Sequence, residues 1–270
     1  MGYLACVLLE VGPYEEALFL IRRAQGMTDH LSPPIVRFFT LWISGIVQQT
    51  LLRQDEARAA LEEAAALVDT ALLLTHKALL VFPPLCANYI LMGEKGQAYS
   101  YALEAHEERE RIGIASTLFD FYRDYEINAL LLHSEKQAEE VVRRFIEQIG
   151  DNRRFRIVAL RAQAALAQKY EDVKLAIAYL REAAQLTEAI GLPGTQWQIQ
   201  GALGRLYQKQ GEHKQSTQSF ALAMRTVQQL AERMQDEEIR ATFLSASLIQ
   251  EIIASQEYHP DAMREVDISS

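Results

Sequence analysis

One feature narrows the folds open to this chain more than any other: a pattern of small and apolar residues that recurs about every 40 positions. Taking a small residue as anchor, the chain places Ala17, Ala57, Ala98, Ala138, Ala176 and Ser216 at intervals of 40, 41, 40, 38 and 40. Four residues after each anchor stand Ile21, Leu61, Ala102, Val142, Leu180 and Phe220. Seven after each stand Ala24, Ala64, Ala105, Phe145, Ala183 and Ala223. Offsets of 0, 4 and 7 share one face of a helix. Twelve residues before each anchor stand Ala5, Gly45, Cys86, Glu126, Ala164 and Gly204, small at five positions and interrupted at Glu126. Fixed self-similarity at this period is the mark of a stacked-repeat architecture. It displaces the two-domain expectation that a length of 270 residues would otherwise give.

The sharpest repeat is the last. It reads Leu203-Gly204-x-x-Tyr207, then Gly211, Ser216, Phe220 and Ala223. Two small residues where antiparallel helices cross, with aromatics filling the space between them, resemble a tetratricopeptide (TPR) unit. The period of 40 exceeds the usual 34, so the chain resembles the extended TPR variety of the MalT-like sensor regions of bacterial signalling ATPases. HEAT-type repeats, also near this length, are the structural alternative. The resemblance implies an all-α, right-handed superhelix of six helix-turn-helix repeats over residues 1–257, closed by a capping helix over 236–257, thirteen helices in all. A mobile tail is expected over 258–270. The first repeat lacks about three residues of its first helix against the repeat template, as a piece of a longer protein would.

Local signals agree. Ser32 with Pro33 marks a helix start, Gly26 and Gly191 fit C′ positions, and Gly12-Pro13 and Gly93-Glu94 mark tight turns. Pro83-Pro84 implies a kink or a helix start within the third repeat. Glycine (13) and proline (7) are scarce, which disfavours an all-β sandwich or barrel. The most apolar stretch, Leu67 to Met92, is broken by Asp69, His76, Lys77 and Pro83-Pro84, so no membrane span is expected. With no signal peptide and only two cysteines, a cytoplasmic location with reduced thiols is the default.

No catalytic constellation is present. The phosphate-binding glycine motifs are missing, and His106-Glu107 lacks a second histidine, since Glu110 stands in its place. Cys6 and Cys86 read as small buried hydrophobes. No enzyme activity, cofactor or metal is expected. A net charge of −9 weighs against nucleic acid. The local exception, Arg143-Arg144 and Arg153-Arg154-Phe155-Arg156, reads as a helix terminus with acidic partners.

What remains is binding. TPR arrays use the groove formed by their first helices. The resemblance places Phe39, Trp42, Ile46, Leu80, Ile90 and Leu91 in its N-terminal half. It places Asp120, Arg123, Arg161, Gln168, Lys169, Arg205, Gln208 and Lys209 in its C-terminal half. The expected partner is a peptide or protein segment with an apolar anchor and an acidic end, its carboxylates met by Arg123, Arg161 and Arg205. Ile127 stands where the chaperone-binding TPR proteins would have asparagine. The expectation is a non-catalytic sensor or scaffold domain within a larger regulator. A standalone assembly scaffold and a small-molecule inducer-binding domain are the alternatives, and homodimerisation is a further expectation.

Overall fold

The computed structural model describes residues 2–28, 32–67, 75–114, 117 and 119–257. The expected tail lies outside them. Among the described residues there is no strand, and fourteen α-helices follow one another along the chain.

Six antiparallel pairs carry the repeat. They are α1 (Gly2–Val11) with α2 (Tyr14–Gly26), and α3 (Pro34–Thr50) with α4 (Gln54–Ala66). Next come α5 (Phe82–Leu91) with α6 (Lys95–Ile112), and α7 (Arg123–Leu131) with α8 (Glu135–Ile149). The last two are α9 (Arg153–Lys169) with α10 (Val173–Ile190), and α11 (Pro193–Lys209) with α12 (His213–Glu232). The chain is an all-α solenoid.

The small positions are where the helices of a pair touch. All six anchors are buried. A Cβ on Gly204 would lie 2.8 Å from the Phe220 ring, and one on Gly45 2.4 Å from Leu61 Cγ. The Ser216 hydroxyl donates to the Gly204 carbonyl at 2.9 Å, so a polar side chain at the crossing is satisfied across the pair. Side-chain caps fix several helix starts: Ser134 accepts from the Gln137 amide at 3.2 Å, and Asn152 from the Phe155 amide at 3.1 Å. Gly191 ends α10 in the left-handed conformation, at φ 73°.

Three local expectations are revised, and a fourth, at Pro83-Pro84, is met. Pro34 rather than Pro33 opens α3, with Pro33 in the extended conformation before it. Gly26 is the last residue of α2 instead of a left-handed cap after it. Pro83 and Pro84 fall in the first turn of α5, one of the two outcomes expected, and a π-helical turn over Lys77–Val81 runs directly into it, so the hydrogen-bond register changes just before the two residues that lack an N–H. The single helix expected over 236–257 is two, α13 (Glu237–Ser245) and α14 (Ser247–Glu257). Ala246 between them is extended at ψ 138°.

The array does not stay open. α1 packs against α11, and Tyr14 meets Phe243 edge-to-face with ring centroids 6.0 Å apart. The Glu15 carboxylate accepts from the amides of Gln235 and Asp236, the latter at 3.2 Å, and Arg233 Nη1 donates to the Val11 carbonyl at 3.0 Å. One apolar cluster runs from Ala5 through the first repeats and takes in Phe220, Phe243 and Ile252. The two ends of the chain therefore share a core, and the groove becomes an interior chamber.

Candidate functional site

Two adjoining cavities occupy that interior. The first, of about 330 Å³, is walled by both ends of the chain and by the middle repeats. α1 supplies Cys6, Val7, Leu9 and Glu10, and α2 supplies Tyr14 at its first residue. α3 supplies Trp42, Ile46 and Gln49, which share one helical face. The segment leading into α7 brings Phe119, Phe121 and Tyr122, and Tyr125 follows within α7. α9 contributes Arg154 and Arg161, and α11 contributes Gly194, Thr195, Trp197 and Gln198. Both tryptophans of the chain thus face the same space.

The second cavity, of about 250 Å³, shares Leu91, Tyr125, Arg161, Trp197 and Gln198 with the first. Beyond them it is more polar, lined by Asp124, Asn128, Gln168 and Arg205, with Leu248 and Ile252 of α14 closing one side. An aromatic chamber therefore gives onto a polar vestibule at the level of Arg161.

The two chamber arginines are held alike. Arg154 grips Glu10 of α1 with Nε at 2.7 Å and Nη2 at 3.0 Å, its guanidinium 5.1 Å from the Phe121 ring. Arg161 meets Asp124 at 3.0 Å, lies 5.2 Å from the Tyr125 ring and donates to the Tyr125 hydroxyl at 3.3 Å. Burial is the largest single influence and opposes the charge on Arg161, but Asp124 and Tyr125 together outweigh it and hold the guanidinium above its ordinary range. Burial, followed by Glu10, pushes the Cys6 thiol up to about 11, so the sulfur facing the chamber is protonated at neutral pH and is a poor nucleophile.

Of the residues expected in the groove, Trp42, Ile46, Leu91 and Arg161 line the first cavity, and Leu91, Arg161, Gln168 and Arg205 the second. Phe39 sits behind Trp42, with ring centroids 6.0 Å apart, and Leu80 and Ile90 belong to the packed core. Lys169 is on the surface, 3.3 Å from Glu135, and Gln208 and Lys209 are exposed and line neither cavity.

Arg123 requires the largest correction. Its side chain is 2% exposed and reaches Glu126 at 2.5 Å, beneath the chamber wall. Arg109 of α6 joins them, 2.7 Å from Asp120 and 3.4 Å from Glu126. Two guanidinium groups and two carboxylates thus neutralise one another out of water, so neither Arg123 nor Asp120 is available to a ligand. The same cluster explains the one break in the small-residue pattern, since Glu126 fills its position as the counter-charge to two arginines.

The aromatic run Phe119-x-Phe121-Tyr122-x-x-Tyr125 carries no repeat signal and was missed in the sequence; its density of rings is the one signal that could have found it. Glu10, Tyr14 and Trp197 enter the site only because the ends meet. Arg154 comes from the basic run considered for nucleic acid. In that run Arg143 pairs with Glu140 and Glu147, Arg144 with Glu110, Arg154 with Glu10 and Arg156 with Glu182, so four of its cations are already compensated. Among the described residues no group of three or more His, Cys, Asp or Glu side chains could hold a metal ion, and no helix is long and apolar enough to cross a membrane.

No protein-family model matches the sequence, and no curated protein is similar to it at a significant level. Among solved structures the chain is similar to that of a Rap protein complexed with competence and sporulation factor. The TM-score is 0.64 at 12% identity, covering 95% of this chain and 76% of that one. At that identity the likeness concerns the fold, a helical repeat array of the TPR type.

Proposed function

We propose that this chain is a non-catalytic, peptide-binding TPR module whose interior takes a segment with an apolar anchor and an acidic end. The observation that carries the reading is the two-part interior: aromatic walls in the first cavity, then Arg161 and Arg205 in the second. An aromatic or branched side chain is the natural occupant of the first. A carboxylate beyond it meets the guanidinium of Arg205, for charge-assisted bonds. The Rap protein of similar fold, solved in complex with competence and sporulation factor, supports the idea that such an array takes up a partner. On this reading the module is a cytoplasmic sensor or scaffold of the MalT-like kind within a larger regulator. The first cavity's 330 Å³ also lies within the range of small-molecule sites, which keeps an inducer as the second reading.

The test uses the two chamber tryptophans as reporters. Short peptides carrying an aromatic residue near an acidic C-terminus are titrated against intrinsic fluorescence, beside the same peptides with an amidated, lysine-ended tail. Arg205 is exposed, so Arg205→Ala leaves the fold intact and is expected to weaken the acidic peptides about 10-fold, the loss of one charge-assisted contact. Equal binding of the two peptide sets, or an unchanged Arg205→Ala variant, would overturn the acidic-end assignment. A response to small aromatic acids without any response to peptides would favour the inducer.

A further inference from the structure

The chamber is completed by elements from opposite ends of the sequence, and they are held together by a seam thinner than the junctions between successive repeats. On one side stand Glu10, Gly12, Tyr14 and Glu15, and on the other Arg154 of α9, α11, the turn after α12, and Phe243 of α13; the half-buried Glu10–Arg154 pair, at 2.7 and 3.0 Å, is the strongest polar contact that opening must break. Most polar contacts of the seam are at the surface: Glu15 to the Gln235 and Asp236 amides, and Arg233 to the Val11 carbonyl. Its apolar part is small. Tyr14 lies edge-on to Phe243, and Gly12 sits so close beneath Leu230 and Arg233 that a Cβ there would lie 2.9 Å from each. The same strip of α1 and α2 forms a wall of the cavity, and both tryptophans behind it are 3% exposed.

We infer that the seam is the gate of the chamber: the first helix pair, α1 with α2, swings as a unit on its junction with α3, so that it leaves α11–α13 and Glu10 releases Arg154 to admit an occupant, and then settles back to enclose it. Surface-exposed polar contacts over a small apolar patch belong to the low-stability end of local opening, whereas the helix pairs that form the other walls are locked by the buried small-residue crossings. Movement at the seam therefore opens the cavity without unfolding a repeat.

Gly194, at the start of α11, makes this testable. A Cβ on it would lie 2.5 Å from the Tyr14 hydroxyl oxygen, while the next nearest Tyr14 atom, Cζ, is 3.7 Å away. Gly194→Ala therefore pushes on the seam, and adding Tyr14→Phe removes the clash. Overpacking of this size shifts the closed–open balance by about tenfold or more. Two readouts follow it. The Gln235 and Asp236 amides donate across the seam to Glu15, so their hydrogen exchange reports closure directly. Acrylamide quenching of Trp42 and Trp197 reports access to the chamber.

In Gly194→Ala the two amides are expected to exchange about tenfold faster and quenching to rise several-fold, with both returning to wild-type values in the Tyr14→Phe double variant. Faster amide exchange with unchanged quenching would show a seam that opens without gating. Unchanged exchange in Gly194→Ala, or no recovery in the double variant, would show that the ends do not separate there. Acrylamide stands in for no natural ligand, so failure of peptide binding would sink the proposed function and leave the gate standing, and the converse also holds.

Discussion

Replacing Glu126 by alanine separates two ways of reasoning about this chain. By the repeat pattern alone it restores the small residue found at the equivalent position of five other repeats, and the change ought to be neutral or stabilising. The structure leads to the opposite result. Glu126 is fully buried and is the only carboxylate in contact with Arg123, at 2.5 Å, among the ion pairs of that cluster. Without it, Asp120 faces two buried guanidinium groups, and one positive charge is left uncompensated. Burial already pulls Arg123 below the ordinary arginine range, with Glu126 the main opposing influence. Removing one partner of a buried ion pair costs about 3–5 kcal/mol. For a cooperatively unfolding chain of 270 residues, with about 2.1 cal/mol/K of unfolding entropy per residue, that lowers Tm by about 5–9 °C. Thermal and urea denaturation followed by circular dichroism measure it. The control is the double variant Glu126→Ala with Arg123→Met, which leaves the Arg109–Asp120 pair at 2.7 Å and no surplus charge. A double-mutant cycle is then expected to show about 2–3 kcal/mol of coupling. A Glu126→Ala protein within about 1 kcal/mol of wild type would refute the reasoning, because no buried charge would then have been stranded.

Two further outcomes follow from the geometry. Gly45→Ala forces a Cβ against Leu61 Cγ at 2.4 Å, within a fully buried crossing, and is expected to destabilise the chain by about 1–3 kcal/mol in urea melts; Gly96→Ala, with no neighbour within 4 Å near the start of α6, is expected to stabilise it by up to about 1 kcal/mol, and a reversed order would contradict the packing. The Arg111 and Thr75 hydrogen bonds hold the Glu108 carboxyl down to about 2. A depressed folded-state pKa gives stability that is present above the ordinary value of 4.5 and lost as pH falls from there towards 2. Glu108→Gln is therefore expected to flatten stability against pH over that window, by a small amount since Arg111 is 64% exposed, and an unchanged slope would show that the bonds do not persist in solution.

What was legible in the sequence was what repeats locally. The 0, 4 and 7 spacing and the small residues twelve positions earlier gave the helix pairs, because each pair must bury one narrow face against its partner wherever it sits in the array. Trp42, Ile46 and Arg161 were legible for the same reason, as inward positions of first helices. Arg123 occupies an equivalent position and was misplaced, because its fate depends on Glu126 and on Arg109 of the preceding helix pair, and pairing between particular charges has no period. The aromatic run from Phe119 to Tyr125 stood outside the template altogether.

The sequence by itself determined an α-solenoid, its repeat length, and the close crossings at Gly45 and Gly204. Only the tertiary structure decided that the array closes on itself, that Glu10 of the first helix grips Arg154 of the ninth, and that the expected groove is a chamber. The physical reason is cumulative geometry. Each pair turns slightly on the one before it, and these small rotations, summed over six pairs, place Tyr14 against Phe243. No single repeat encodes that sum, and the charges and aromatics gathered in the chamber are neighbours only because of it.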